Sequence, residues 1–215
     1  MRDDENIRQV AALGADWIGM IFWERSPRSV TARPALADAA ADGAALPAMR
    51  VGVFVDDTAQ NIIARVAGYR LDIVQLHGHE SPAFIRGLRL TLEDGIRPGI
   101  RFVKAISVAV ADDIATYKTY EDCVDYLLFD TKCKCVGGSG HQFDWSMLKA
   151  YDGRLPFLLS GGIGPGDAPR LRQTLALDGF PAAKCIGLDL NSRFETAPGL
   201  KDIDKLRTFI KAIRP

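Results

Sequence analysis

The sequence predicts an α/β fold, a (β/α)8 TIM barrel with its first β-strand absent from this chain. Three observations point to it. Seven short apolar runs alternate with segments of helical spacing. Most of the runs are near-continuously apolar, as strands buried on both faces of a parallel sheet must be. Polar residues and glycines gather just after the runs, where a barrel of this kind keeps its site.

The chain opens on a helical pattern: Ile7, Val10, Ala11 and Leu13 share one face of the stretch Asp3 to Leu13. The first apolar run is Trp17 to Phe22. Val51 to Val55 follows, after a helical segment at about 33–41. Asp57 and Thr58 offer a cap for a helix at 58–69 carrying Ile62, Ile63, Val66 and Tyr69. The run Ile73 to Leu76 precedes Ser81-Pro82, which opens a helix at 81–90, with proline suited to its first turn. Leu92 to Gly99 reads as a loop. Then come the run Phe102 to Ile106, a helical segment at 110–120, and the run Tyr126 to Phe129. Helical spacing at 145–151 precedes Phe157 to Leu159, and 166–177 precedes Cys185 to Leu188. Ile203, Leu206, Ile210 and Ile213 close the chain as a helix at 202–213. Such alternation implies right-handed βαβ units and a parallel sheet. No stretch rich in Pro, Gly or Ser divides the chain, so residues 1–215 read as one domain. Eight helical segments against seven strands, with a helix first, leave a closed barrel one strand short ahead of Met1. The strand edges left open would invite pairing with another chain, and a doubly wound sheet, open-edged by design, fits the same count.

Composition narrows the function. Lys plus Arg and Asp plus Glu are both 27, which removes the basic excess expected of a nucleic-acid binder. No apolar run has the length of a membrane span, and the acidic start Met1-Arg2-Asp3-Asp4-Glu5 lacks a signal's apolar stretch. A cytoplasmic protein is expected, binding neither nucleic acid nor membrane, and composition leaves monomer and homodimer both open. The four cysteines, Cys123, Cys133, Cys135 and Cys185, are too few for a disulfide scaffold. Cys133 and Cys135 with His141 fall short of a metal site's ligand set, and reduced thiols in a loop is the plainer reading. No metal site is expected from these residues.

Reading the residue after each run collects the candidate site. Ser160-Gly161-Gly162-Ile163-Gly164-Pro165-Gly166 follows a strand and opens a helix. Glycine lets backbone N–H groups approach an anion, and a helix N-terminus adds positive potential. With Asp189-Leu190-Asn191-Ser192 it would form the paired phosphate loops that recur after the last two strands of this fold. Asp130 emerges at the rim of an apolar wall as a candidate acid, or as a loop cap or a partner of Lys132. Gln75 and His77 end one run, placed either to orient a substrate or to serve the structure. Arg28 could grip a carboxylate as a bidentate fork or stand solvated in a basic loop.

The chain resembles the phosphoribosylanthranilate isomerase family over nearly its whole length. The segments that carry the resemblance are Gly14-Ala15-Asp16-Trp17-Ile18-Gly19-Met20-Ile21-Phe22, Ser26-Pro27-Arg28, Val51-Gly52-Val53-Phe54-Val55 and Val74-Gln75-Leu76-His77-Gly78. They continue with Phe129-Asp130-Thr131-Lys132, Gly137-Gly138-Ser139-Gly140 before Phe143-Asp144-Trp145, Leu159-Ser160-Gly161-Gly162-Ile163 and Gly187-Leu188-Asp189. The resemblance implies an Amadori rearrangement in tryptophan biosynthesis on a small-molecule sugar phosphate, N-(5-phosphoribosyl)anthranilate, with no cofactor. It implies Asp130 as general acid and Arg28 as the holder of the anthranilate carboxylate. Gly161, Gly162, Asn191 and Ser192 then hold phosphate, and Asp189 lines the sugar end. The last loop departs from the family's Ser-Gly-Val-Glu and reads Ser192-Arg193-Phe194-Glu195. The family's base is a cysteine in a Lys-x-Cys-Gly motif ending the first strand, a segment expected ahead of Met1. Without that base the rate would fall by ~10²- to 10⁴-fold. A misassigned start accounts for its absence more simply than a barrel closed by another chain.

Two rivals remain among enzymes. An indole-glycerol-phosphate synthase would want a catalytic lysine at a strand end, where Lys104 stands without the supporting lysine and glutamate. A ribulose-phosphate epimerase would want metal-binding histidines, of which only His77, His79 and His141 exist. The rival outside enzymes is a non-catalytic phosphate-binding barrel protein.

Overall fold

A computed structural model of the chain describes residues 1–31, 46–132 and 143–214. The helical segment expected at 33–41, Cys133, Cys135, His141 and the stretch Gly137-Gly138-Ser139-Gly140 lie outside the described residues.

Within them, seven strands form one curled sheet, each parallel to the next and in sequence order. They are β1 (Trp17–Ile21), β2 (Met49–Phe54), β3 (Ile73–Leu76), β4 (Arg101–Val108), β5 (Tyr126–Thr131), β6 (Phe157–Leu159) and β7 (Cys185–Leu188). The runs expected at 73–76, 157–159 and 185–188 match to the residue. The helices are α1 (Asp4–Ala12), α2 (Ala59–Tyr69), α3 (Pro82–Glu93), the single turn α4 (Ala111–Ile114), α5 (Ala168–Leu175) and α6 (Ile203–Ile213).

Local chemistry explains where the helices begin. Asp3, Thr58, Ser81 and Asp202 each accept a hydrogen bond from the backbone N–H three residues on. Each such cap contributes about 1 kcal/mol. Two expected helices take a tighter form. Trp145–Ala150 is a 3₁₀-helix, and 110–120 splits into α4 and the 3₁₀ segment Ala115–Thr119. Trp145 and Leu148 are both fully buried three residues apart, a spacing that three residues per turn place on one side. The loop expected from Leu92 starts later, because Leu92 is buried and α3 continues to Glu93.

The period-two alternation of a strand sorts side chains to the two faces of the sheet. Val74, Leu76, Phe102, Ile106, Leu127 and Phe129 pack outward into the large core beneath the helices. Val51, Ile73, Val103, Ala105 and Leu128 form a separate inner cluster, joined by Trp17, Val53, Tyr126 and Leu158. Followed upward in steps of two, the inner rows of β3 to β7 reach Gln75 and His77, Ser107, Asp130, Ser160 and Asp189. The inside of the ring is therefore apolar at its base and polar at the strands' C-terminal ends.

After β7 the chain adds a short antiparallel hairpin, β8 (Glu195–Ala197) with β9 (Leu200–Lys201), which the sequence pattern does not signal. Asn6 of α1 pairs with the backbone of Lys201 in both directions. Its amide nitrogen donates to the carbonyl at 2.9 Å, and its oxygen accepts from the N–H at 2.7 Å. The hairpin thereby fastens the end of the sheet to its beginning. No described helix is long and apolar enough to cross a membrane.

Candidate active site

A cavity of ≈ 970 Å³ opens inside the ring, and Arg28, Gln75, His77, Asp130, Gly161, Gly162, Asp189, Asn191 and Ser192 all line it. The alternation that buries Ile73 and Leu128 is what aims Gln75, His77 and Asp130 inward.

Asp130 and His77 face each other: His77 Nε2 lies 3.3 Å from Asp130 Oδ2. The other Asp130 oxygen accepts from the N–H of Thr131 at 2.8 Å. The Gln75 amide nitrogen stands 3.3 Å from His77 Nδ1. The two ring nitrogens thus have separate partners, Nδ1 the Gln75 amide and Nε2 the Asp130 carboxyl, which fixes the orientation of the imidazole. Asp130 is 29% exposed and His77 23%, open enough to reach a ligand in the cavity. Lys132 pairs with Asp113 at 3.4 Å, so the alternative partner considered for Asp130 is engaged elsewhere.

The glycine-rich turn is shaped as its sequence requires. Gly161 and Gly162 have φ of 90° and 67°, a region that side chains disfavour. A Cβ on Gly161 would come within 2.4 Å of the Thr131 hydroxyl, so no larger residue fits there. On the facing loop, Ser192 opens a 3₁₀ turn, Ser192–Phe194. Arg193 joins the two loops by donating from Nη1 to the Gly162 carbonyl at 3.0 Å. Asp189 accepts from Ser160 Oγ at 3.0 Å. Burial pushes its carboxyl up, and the charge of Asp130 adds to the effect.

Arg28 is far from solvated. Its Nε donates to both oxygens of Glu195, and its side chain is 11% exposed. Glu195 and Lys201, both lining the cavity, are site residues that sequence reading missed. The one available signal for Glu195 was its place at the end of the Ser192-Arg193-Phe194-Glu195 loop.

Lys104 is no free catalytic amine. Its ammonium is buried against Glu80 at 3.0 Å and donates to the carbonyls of Leu76 and Gly78. Neither described cysteine lines the cavity. Burial pushes the Cys185 thiol up to about 11 and raises that of Cys123. Among the described residues no group of three or more His, Cys, Asp or Glu could hold a metal.

The family model described as N-(5'phosphoribosyl)anthranilate (PRA) isomerase matches residues 1–212. The chain is 46% identical over 213 residues to N-(5'-phosphoribosyl)anthranilate isomerase of Parabacteroides distasonis, covering 99% of this chain and 90% of the relative. It is 37% identical to the Zymomonas mobilis protein of the same name, covering 98% and 93%. Among solved structures it resembles phosphoribosyl anthranilate isomerase from Thermotoga maritima, with a TM-score of 0.80 and 29% identity over 99% of this chain and 95% of that one. A phosphoribosyl anthranilate isomerase in complex with reduced 1-(o-carboxyphenylamino)-1-deoxyribulose 5-phosphate matches at a TM-score of 0.78 and 26% identity, covering 99% and 94%.

Proposed function

The chain belongs to the N-(5'-phosphoribosyl)anthranilate isomerase family, and we propose that its cavity runs that family's Amadori rearrangement with Asp130 as the general acid. The observation that carries the reading is one of placement. Asp130, the Gly161-Gly162 turn and the Asn191-Ser192 loop line the same cavity, so a phosphate held by the loops puts a ribose before the acid.

The substrate's phosphate sits against Gly161, Gly162, Asn191 and Ser192, where backbone N–H groups and a helix start favour an anion. Arg28 receives the anthranilate carboxylate. Asp130 protonates the ribose ring oxygen, the bond from that oxygen to C1 breaks, and the anthranilate nitrogen becomes an iminium. A base then takes the C2 proton, and the electron pair collapses to an enol-amine that tautomerises to the 1-deoxyribulose phosphate. Positioned proton transfer contributes ~10²- to 10⁴-fold to each such step. His77 holds the Asp130 carboxyl in place from Nε2, and Asp189 with Ser160 faces the sugar.

The test is turnover of phosphoribosylanthranilate by this chain and by a version extended ahead of Met1 with a strand ending in Cys-Gly. Turnover in the extended version, abolished by Asp130→Asn, supports the reading. Phosphate binding with no turnover in either version overturns it in favour of a phosphate-binding barrel protein.

A further inference from the structure

Four polar side chains from three parts of the fold form one hydrogen-bonded chain along the cavity wall. Arg28 follows β1, Asn191 follows β7, and Glu195 and Lys201 come from the β8–β9 hairpin. Arg28 Nε donates to the two Glu195 oxygens at 3.0 and 2.9 Å, and Nη2 lies 2.8 Å from Oε2. Glu195 Oε1 also accepts from Lys201 Nζ at 3.2 Å. The same ammonium donates to Asn191 Oδ1 at 3.0 Å. Glu195 and Lys201 are 5% and 9% exposed. Taking charges out of water is costly, and a cluster like this persists only where each charge is met by partners of good geometry.

The geometry fixes more than charge balance. Glu195 takes the side-on fork of the Arg28 guanidinium, Nε with one Nη2 hydrogen. The end-on fork is thereby left, among the described residues, for a second carboxylate. An ammonium has donors only, so Lys201 must hold the oxygen of the Asn191 amide, and the NH₂ is the half left to face an anion. Both ends of the cavity are therefore oriented by one pair of side chains.

We propose that Glu195 and Lys201 are positioning residues that tie the carboxylate-gripping end of the cavity to its phosphate-gripping end. The inference rests on the roles given above to Arg28 and Asn191. Neither residue acts on the reacting atoms. Through them, filling one end orders the groups that receive the other, and such coupling is reciprocal.

The experiment titrates wild type, Glu195→Gln, Lys201→Met and Lys201→Arg with anthranilate, with inorganic phosphate, and with each in the presence of the other. In wild type, saturating phosphate tightens anthranilate binding. In Lys201→Met that enhancement vanishes, and both ligands weaken on the order of 10- to 100-fold, the worth of a hydrogen bond to a charged group. Glu195→Gln weakens anthranilate more than phosphate, and Lys201→Arg recovers part of the coupling. A merely structural role would lower thermal stability and leave the coupling factor intact. Equal coupling in wild type and Lys201→Met with Glu195→Gln unchanged overturns the proposal, as does wild-type binding of both ligands without coupling. Wild type that binds neither ligand overturns the reading of the site itself.

Discussion

At the scale of single residues, Asp130 separates binding from chemistry. Asn in its place keeps the size and an oxygen for the Thr131 N–H, the contact that now spans 2.8 Å. It cannot release a proton to a ribose oxygen. Asp130→Asn is expected to cut kcat by ~10²- to 10⁴-fold. Affinity for the reduced product analogue should stay within a few-fold, which titration calorimetry checks. Gly161→Ala is expected to do the reverse. Its methyl would fall on the Thr131 hydroxyl and its φ of 90° is strained, so phosphate affinity should drop by more than kcat. These two positions were legible in the sequence because strand periodicity and glycine chemistry are local. Glu195 and Lys201 were not. Arg28 and Glu195 are 167 residues apart, and no local pattern marks a pair formed at that range.

At the scale of the element, the turn between β3 and α3 depends on one ion pair. Glu80 accepts from the N–H groups of Asp56 and Gly78 at 3.0 and 3.1 Å, while Lys104 of β4 holds the carbonyls of Leu76 and Gly78. His77 sits between those carbonyls, so the pair sets how it meets Asp130. Both side chains are at most 3% exposed. Lys104→Met would leave Glu80 charged, buried and unmatched, at a cost of about 3–5 kcal/mol in urea unfolding. Adding Glu80→Met should restore much of that stability but not activity, because the turn's N–H groups stay unmet. Recovery of both would sink the argument. The strand bearing Lys104 was plain from its apolar run, yet the lysine's partner lies in the loop after another strand, so local pattern offered it only as a rival enzyme's candidate lysine. The β8–β9 hairpin escaped for a related reason. It has no apolar alternation of its own and is held by Asn6 of α1.

At the scale of the molecule, formal charge sums to zero at pH 7, and acid unfolding sets in as individual carboxylates take up protons. Glu195 is among them. Burial, the largest single influence, opposes its charge, but the hydrogen bonds and positive charges of Arg28 and Lys201 together outweigh it and hold the carboxyl below its ordinary 4.5. A carboxyl lowered by folding binds its proton less well in the native state. Its contribution is full above 4.5, the unfolded value, and is lost as pH falls through the lower folded value. Asp189, pushed up mainly by burial, acts in the opposite sense, favouring the native state at low pH. It is common to wild type and Glu195→Gln, so it cancels from the difference between the two. Melting temperature measured against pH should show wild type above Glu195→Gln at neutrality, with the gap closing as pH drops below 4.5. A gap constant across that range would mean that Glu195 serves by shape alone. The hairpin would then owe its attachment to the start of the chain to the side-chain amide of Asn6 rather than to the ionic chain.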